Sequence, residues 1–228
     1  MAGEKILIVE DEEDIAELLE YNLQRQGYTP TSVGSGEDGL NAVRDSQPDL
    51  VLLDLMLPGL SGLEVCRKLK ADPTTKMIPV IMLTAKGEEE DIIAGFDAGA
   101  DDYVTKPFRP KVLLARVAAV LRRGAASRQQ EGAPSELGPI RIHPGRFEVH
   151  VDEQLVEMTR TEFRILSFLS SRPGWVFTRG QIVKAVHGDD YPVTGRSVDV
   201  QVAAVRRKLG TAGEMLQTVR GVGYKMGD

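Results

Sequence analysis

The chain has 228 residues, 42% of them hydrophobic, a formal net charge of −6 and a single cysteine, Cys66. That length allows one large domain or two small ones. The lone cysteine excludes an intramolecular disulfide, and no run of about 18 apolar residues offers a membrane-spanning helix. The opening "MAGEKILIVEDEED" carries acid where a signal peptide carries base, so a reducing, cytoplasmic setting is expected, with no membrane partner. The net charge conceals an asymmetry. Residues 1–123 hold 14 basic and 22 acidic side chains, a net of −8, whereas residues 138–228 hold 13 and 10, a net of +3. An acidic half joined to a basic half suggests one task involving a cation and another involving a polyanion.

In chain order, β-branched apolar runs occur at 5–9, 50–53 and 79–83, with weaker ones at 29–33 and 102–105. Between them apolar residues recur at helical spacing, as in Ile15, Leu18, Leu19 and Leu23. Five strands alternating with five helices predict a doubly wound, parallel α/β sheet. The unbroken apolarity of "LVLL" fits a parallel strand buried on both faces. Residues 124–138, "GAASRQQEGAPSELG", have no apolar period and read as a flexible linker. The three parts are therefore 1–123, a linker over 124–137, and 138–228.

The second half changes pattern. Short strands near 140–142, 146–151 and 154–157 precede helical stretches near 160–171, 178–186 and 196–209. Thr159 followed by Glu162 matches a capping box. "LQTVRGVGYKM" closes the chain as a hairpin around a glycine-containing turn. Strands, three helices and a hairpin describe a winged helix-turn-helix α+β domain.

Ligands of open α/β sheets bind beyond the carboxyl ends of the strands. The first strand runs into Glu10 and Asp11, the third into Asp54, the fourth into Thr84 and the fifth into Lys106. If the first and third strands are neighbours, three carboxylates converge. Two unit charges about 4 Å apart repel by about 4 kcal/mol at an effective dielectric of about 20. Such a pocket must protonate a member or hold a cation, and Mg²⁺ suits a site with few protein oxygens. The Thr84 hydroxyl and Lys106 ammonium can then hold phosphoryl oxygens, and Asp54 can act as nucleophile toward phosphorus.

"ILIVEDEEDI", "DLVLLDLMLPGLSGLE", "VIMLTAKGEEED" and "GADDYVTKPF" resemble the receiver domain of bacterial two-component response regulators. "MTRTEFRILSFLSSRPGWVFTRGQIVKAV", "GRSVDVQVAAVRRKL" and "QTVRGVGYKM" resemble the winged-helix domain of the OmpR/PhoB class. The first resemblance implies Asp54 as phosphoacceptor from a sensor histidine kinase. It implies Asp11, Asp54 and the Met56 carbonyl as Mg²⁺ ligands, with Glu10 helping through water. It implies Thr84 and Tyr103 as a switch pair, Lys106 as the phosphoryl contact, and a cis Lys106–Pro107 bond. Such a chain is a switch rather than a turnover enzyme.

The second resemblance implies operator DNA with tandem half-sites, and RNA polymerase at the loop near 187–195. The expected DNA contacts are Arg196, Ser197, Val200, Gln201, Ala204, Arg206 and Arg207 on the recognition helix, with Thr218 and Arg220 on the hairpin. Ala203 and Ala204 stand where related chains often carry polar or basic residues. Each lost phosphate contact flattens the salt dependence by roughly one unit of slope, so single-site binding should be weaker. Activated homodimers of this class form through the fourth helix, fifth strand and fifth helix. Asp102 and Arg116 keep one charged pair of that face, whereas Ile92 and Val112 replace another and Asp97 faces Ala118.

Competing motifs fare worse. Residues 34–39, "GSGEDG", spell GxGxxG but follow the second strand, and Glu37 and Asp38 would repel a pyrophosphate. An aspartyl phosphatase would carry a second aspartate at position 56, where Met56 stands. A DNA-binding protein indifferent to phosphorylation, or a protein-only output, remain the alternative functions. Trp175 is expected in core or turn packing and Cys66 in packing. His143, His150 and His187 form no metal pattern.

Overall fold

The computed structural model describes residues 3–85, 94–95, 98–129, 134–188 and 195–227, in which the chain divides into two compact units, Met1–Arg122 and Arg123–Asp228. The first unit alternates β1 (Lys5–Val9), α1 (Glu13–Arg25), β2 (Thr29–Val33), α2 (Gly36–Ser46), β3 (Leu50–Asp54), α3 (Gly62–Ala71), β4 (Val80–Ala85), β5 (Asp102–Lys106) and α4 (Pro110–Gln129). The helix expected between β4 and β5 falls on 86–93 and 96–97, outside the described residues.

All pairings in this sheet are parallel, and the strand order is β2-β1-β3-β4-β5. The order reverses beside β1, so β1 and β3 are neighbours with Val9 opposite Leu53. Every residue of β3 is buried, which accounts for its continuous apolar run. Ile6, Ile8, Leu50, Leu52, Ile81 and Leu83 form the core with Leu19 and Leu23 of α1 and Leu113, Val117 and Val120 of α4. The α3 entry is fixed by a capping box between Ser61 and Glu64. The glycines of "GSGEDG" serve packing. A Cβ at Gly39 would press on Val9, and one at Gly36 on the Leu60 carbonyl and Val65, while Ser35 caps α2 through the Asp38 N–H.

The second unit opens with an antiparallel sheet of β6 (Ser135–Leu137), β7 (Ile140–His143), β8 (Glu148–Val151) and β9 (Gln154–Val156). There follow α5 (Arg160–Ser170), β10 (Phe177–Thr178), α6 (Arg179–His187), α7 (Gly195–Leu209) and the hairpin β11 (Leu216–Val219) with β12 (Gly223–Met226). The strand order of the small sheet is β10-β12-β11. Thr159 and Glu162 close the expected capping box at α5, and Thr178 with Gln181 closes another at α6. The core joins Phe163, Leu166 and Leu169 of α5 to Ile182 of α6 and to Val198, Val202, Val205 and Leu209 of α7.

One expectation changes and another narrows. Residues 124–129 of the expected linker continue α4, and residues 135–137 form β6. The alanines in "GAAS" favour helix, and an unpatterned segment can extend a helix nucleated by its packed N-terminal part. Trp175 is 57% exposed, so it is a turn residue and not a core one. Its N–H donates to the Arg172 carbonyl, and the Arg172 guanidinium lies 6.0 Å from its ring. Cys66 is fully buried, as expected of a packing residue.

Candidate functional site

At the carboxyl edge of the sheet, β1, β3 and β5 deliver Glu10, Asp54 and Lys106 to one point. Lys106 Nζ donates to Glu10 Oε1 at 2.8 Å and to Asp54 Oδ2 at 2.7 Å. Glu10 and Asp54 are 2% and 3% exposed. The Met56 N–H donates to the other Asp54 oxygen at 3.1 Å, which turns the chain after β3 around the carboxylate. The Lys106–Pro107 bond is cis. Burial raises Glu10 from the ordinary carboxylate value to about 7, against the pull of Lys106 and reinforced by the charge of Asp54. Burial also opposes the Lys106 charge, but hydrogen bonds to Asp54 and Glu10 outweigh it and raise the lysine pKa.

Glu10, Glu12 and Asp54 bring ligand oxygens within 4.8 Å of one another. Asp11, expected as a ligand, and Glu12 are both exposed on the turn that follows β1, and it is Glu12 whose oxygen meets this spacing. Glu12 Oε1 lies 3.6 Å from Lys106 Nζ, on a side chain that is 64% exposed. Sequence reading missed Glu12 because both acids follow β1, and only the path of the chain into α1 separates them. The donor set fits a divalent ion. It is all oxygen, and Glu10 Oε2 is buried without a hydrogen-bond partner in the structure.

Thr84, the last residue but one of β4, is 1% exposed, its hydroxyl donating to the Ala85 carbonyl at 2.9 Å. Tyr103 on β5 is held inward at 7% exposure. Of the expected dimer face, Ile92 and Asp97 lie outside the described residues. Val112 is 46% exposed, while Arg116 Nη1 donates to Asp102 Oδ1 at 2.9 Å within the same chain. A buried pair that sequence reading missed lies nearby. Lys70 Nζ donates to Asp101 Oδ2 at 2.8 Å and to the Ile78 carbonyl at 2.8 Å. The only sequence signal for it was a lysine on the apolar side of α3.

In the second unit α7 and the hairpin form the candidate nucleic-acid interface. Val200 is partly exposed, and Ala203, Arg207, Thr218 and Arg220 are exposed. Ser197, Gln201 and Ala204, expected as DNA contacts, are instead buried at 4%, 3% and 8%. Each directly precedes a core valine, namely Val198, Val202 or Val205. One residue turns a helix by about 100°, so these three share a flank of the core stripe. Ala203 is thus the alanine that faces outward.

Arg206 is fastened within the unit. Its Nε donates to the Leu216 carbonyl at 2.7 Å and its Nη2 to Thr218 Oγ1 at 2.8 Å. Asp199 Oδ1 accepts from Arg179 Nε at 2.6 Å and from the Tyr224 hydroxyl at 2.7 Å. Residues 189–194, which include most of the expected polymerase loop, and the Arg196 side chain are outside the description. No described helix is long and apolar enough to cross a membrane.

Comparison with known proteins gives two family matches. The response regulator receiver domain matches residues 6–118, and the transcriptional regulatory protein C-terminal domain matches residues 152–226. The chain is 44% identical over 226 residues to the phosphate regulon transcriptional regulatory protein PhoB of Pseudomonas aeruginosa, covering 99% of this chain and 98% of that protein. It is 42% identical over 230 residues to the DNA-binding response regulator MtrA of Mycolicibacterium smegmatis, covering 98% and 97%. The solved structure of DrrB, a Thermotoga maritima OmpR/PhoB homolog, is 33% identical over 100% of both chains with a TM-score of 0.52. A RitR variant is 27% identical over 99% of this chain and 100% of that one, with a TM-score of 0.78. A parallel sheet with an acidic pocket, joined to a winged helix and matched along its whole length, places this chain in the OmpR/PhoB family of two-component response regulators, transcriptional regulators that combine a receiver with a DNA-binding domain.

Proposed function

We propose that Asp54 is the phosphoacceptor of this regulator and that its phosphorylation controls DNA binding. The observation that carries this reading is the convergence of Lys106 Nζ on Glu10 and Asp54 where the sheet order reverses. A phosphoryl group would leave the phosphohistidine nitrogen of a sensor kinase, which keeps the bonding electron pair, and form a P–O bond to Asp54. Lys106 would follow the charge onto the phosphoryl oxygens, and Thr84 would donate to one of them. Bound Mg²⁺ supplies charge neutralisation at those oxygens. Asp11, Asp54 and the Met56 carbonyl are the groups to hold it, with Glu10 helping through water and Glu12 adjoining. Tyr103 acts with Thr84 as the switch pair.

The downstream partners belong to the same proposal. Phosphorylation favours a homodimer through the face that bears Val112 and the Asp102–Arg116 pair. Ile92, Asp97 and Ala118 complete that face in the sequence. The dimer sets two winged helices on tandem half-sites of operator DNA, with α7 in the major groove and Arg220 in the minor groove. RNA polymerase meets the loop near 187–195. The protein works in the cytoplasm as a switch, without multiple turnover.

The test is incubation of the whole chain with acetyl phosphate, with Mg²⁺ or with EDTA. One acyl phosphate per chain should form with Mg²⁺, and none in Asp54→Ala. An adduct that persists in Asp54→Ala, or no adduct in the unaltered chain, overturns the reading. Selection from random duplexes with and without a phosphoryl mimic separates the alternatives. Equal enrichment would indicate DNA binding indifferent to phosphorylation, and no enrichment a protein-only output.

A further inference from the structure

Gly95 lies just ahead of β5 in sequence, and the Tyr103 ring packs directly on it. A Cβ built on Gly95 would overlap the Tyr103 hydroxyl oxygen and Cζ and would stand 2.7 Å from Cε2, closer than real Cβ atoms come. The backbone does not demand glycine there. Gly95 has helical backbone assignment and is absent from the glycines with left-handed φ. In that conformation alanine is the more favourable residue. What excludes a side chain at 95 is the ring of Tyr103, which is 7% exposed.

We propose that Gly95 is the socket that admits Tyr103 to its inward position, and so a positioning residue that links phosphorylation at Asp54 to the outer face of the receiver. This rests on the switch reading above. A methyl group at 95 has no rotamer by which to withdraw, so the overlap closes the inward position. Either the ring stays outside or the segment carrying residue 95 moves off the sheet. The Asp54 pocket is left as it was, because Gly95 contributes nothing to it. Chemistry and response should therefore separate.

The experiment compares the unaltered chain, Gly95→Ala, Tyr103→Ala and the double variant. Acetyl phosphate with Mg²⁺ should give Gly95→Ala the same phosphoryl stoichiometry as the unaltered chain. The gain in dimerisation constant on phosphorylation, read by sedimentation, should fall at least tenfold. In the Tyr103→Ala background, Gly95→Ala should change nothing beyond twofold. Solvent-perturbation absorbance reads the same socket without phosphorylation. One more of the five tyrosines should become accessible in Gly95→Ala. Unimpaired dimerisation of phosphorylated Gly95→Ala, an equal loss in the Tyr103→Ala background, or an unchanged tyrosine count overturns the inference. If Gly95→Ala unfolds, the double variant must recover the fold, and failure to do so also overturns it. If the unaltered chain takes no phosphoryl group, the switch reading fails, and the tyrosine count still decides the socket.

Discussion

Glu10 and Lys70 are both charged side chains taken out of water, and the fold treats them differently. Lys70 is held by Asp101 and two carbonyls, and Asp101 also accepts the Val80 N–H at 3.0 Å. Removing one member of a buried pair leaves the other charge without compensation, which costs about 3–5 kcal/mol. Lys70→Ala is expected to lose that much in urea unfolding, and a loss below 1 kcal/mol would show that water reaches Asp101. Glu10 instead shares Lys106 with Asp54 and has its pKa raised from 4.5 to about 7, with burial as the main cause. A carboxyl with a raised folded pKa binds more protons folded than unfolded between those values. Its stabilisation is therefore complete below about 4.5 and lost as pH rises through about 7, by up to about 3 kcal/mol. In EDTA, thermal melts of the unaltered chain should fall across that window, and Glu10→Gln should flatten the fall. An equal slope in both would place the titration elsewhere.

The recognition helix shows how an element distributes its residues between packing and contact. Val198, Val202, Val205 and Leu209 face the core, Ser197, Gln201 and Ala204 share the buried flank, and Val200, Ala203 and Arg207 face outward. Arg206 sits between these roles. Two of its nitrogens are spent on β11, and its guanidinium lies 5.5 Å from the Tyr224 ring. It thereby ties the wing to the helix. A phosphate-binding arginine, when removed, lowers the salt slope of DNA binding by about one, whereas loss of an internal strut weakens binding at unchanged slope. Arg206→Ala should therefore weaken operator binding with the slope preserved. A slope lower by about one would assign Arg206 to the phosphate backbone instead. Arg207→Ala is the control that should move the slope.

At the scale of the molecule, each unit carries a core of its own, one around β1, β3 and β4 and one around α5 and α7. Separate cores in separate compact units unfold as separate cooperative events. Calorimetry of the whole chain should show two transitions. Mg²⁺ should raise only the one belonging to the acidic unit, because a ligand stabilises the fold that binds it. A single transition that shifts as a whole on adding Mg²⁺ would show the units to be thermodynamically coupled.

Periodicity made the alternation of strands and helices legible, and the strand ends made Glu10, Asp54, Thr84 and Lys106 legible, because apolar runs and turn residues are local properties. Local pattern also outlined the winged helix, and resemblance to related chains carried further, to Tyr103 and the Met56 carbonyl. Three features were not legible. Glu12 brings a carboxylate oxygen close to those of Glu10 and Asp54, and only the path of the chain into α1 decides that. Ser197, Gln201 and Ala204 are buried because burial depends on what packs beside a helix. Gly95 acquires its meaning from Tyr103, eight residues on and across the fold. The sequence by itself determined which residues could do chemistry and on which elements they lie. Only the tertiary structure decided which of them meet, because contacts between elements depend on chain path and packing, and neither is encoded in any single local pattern.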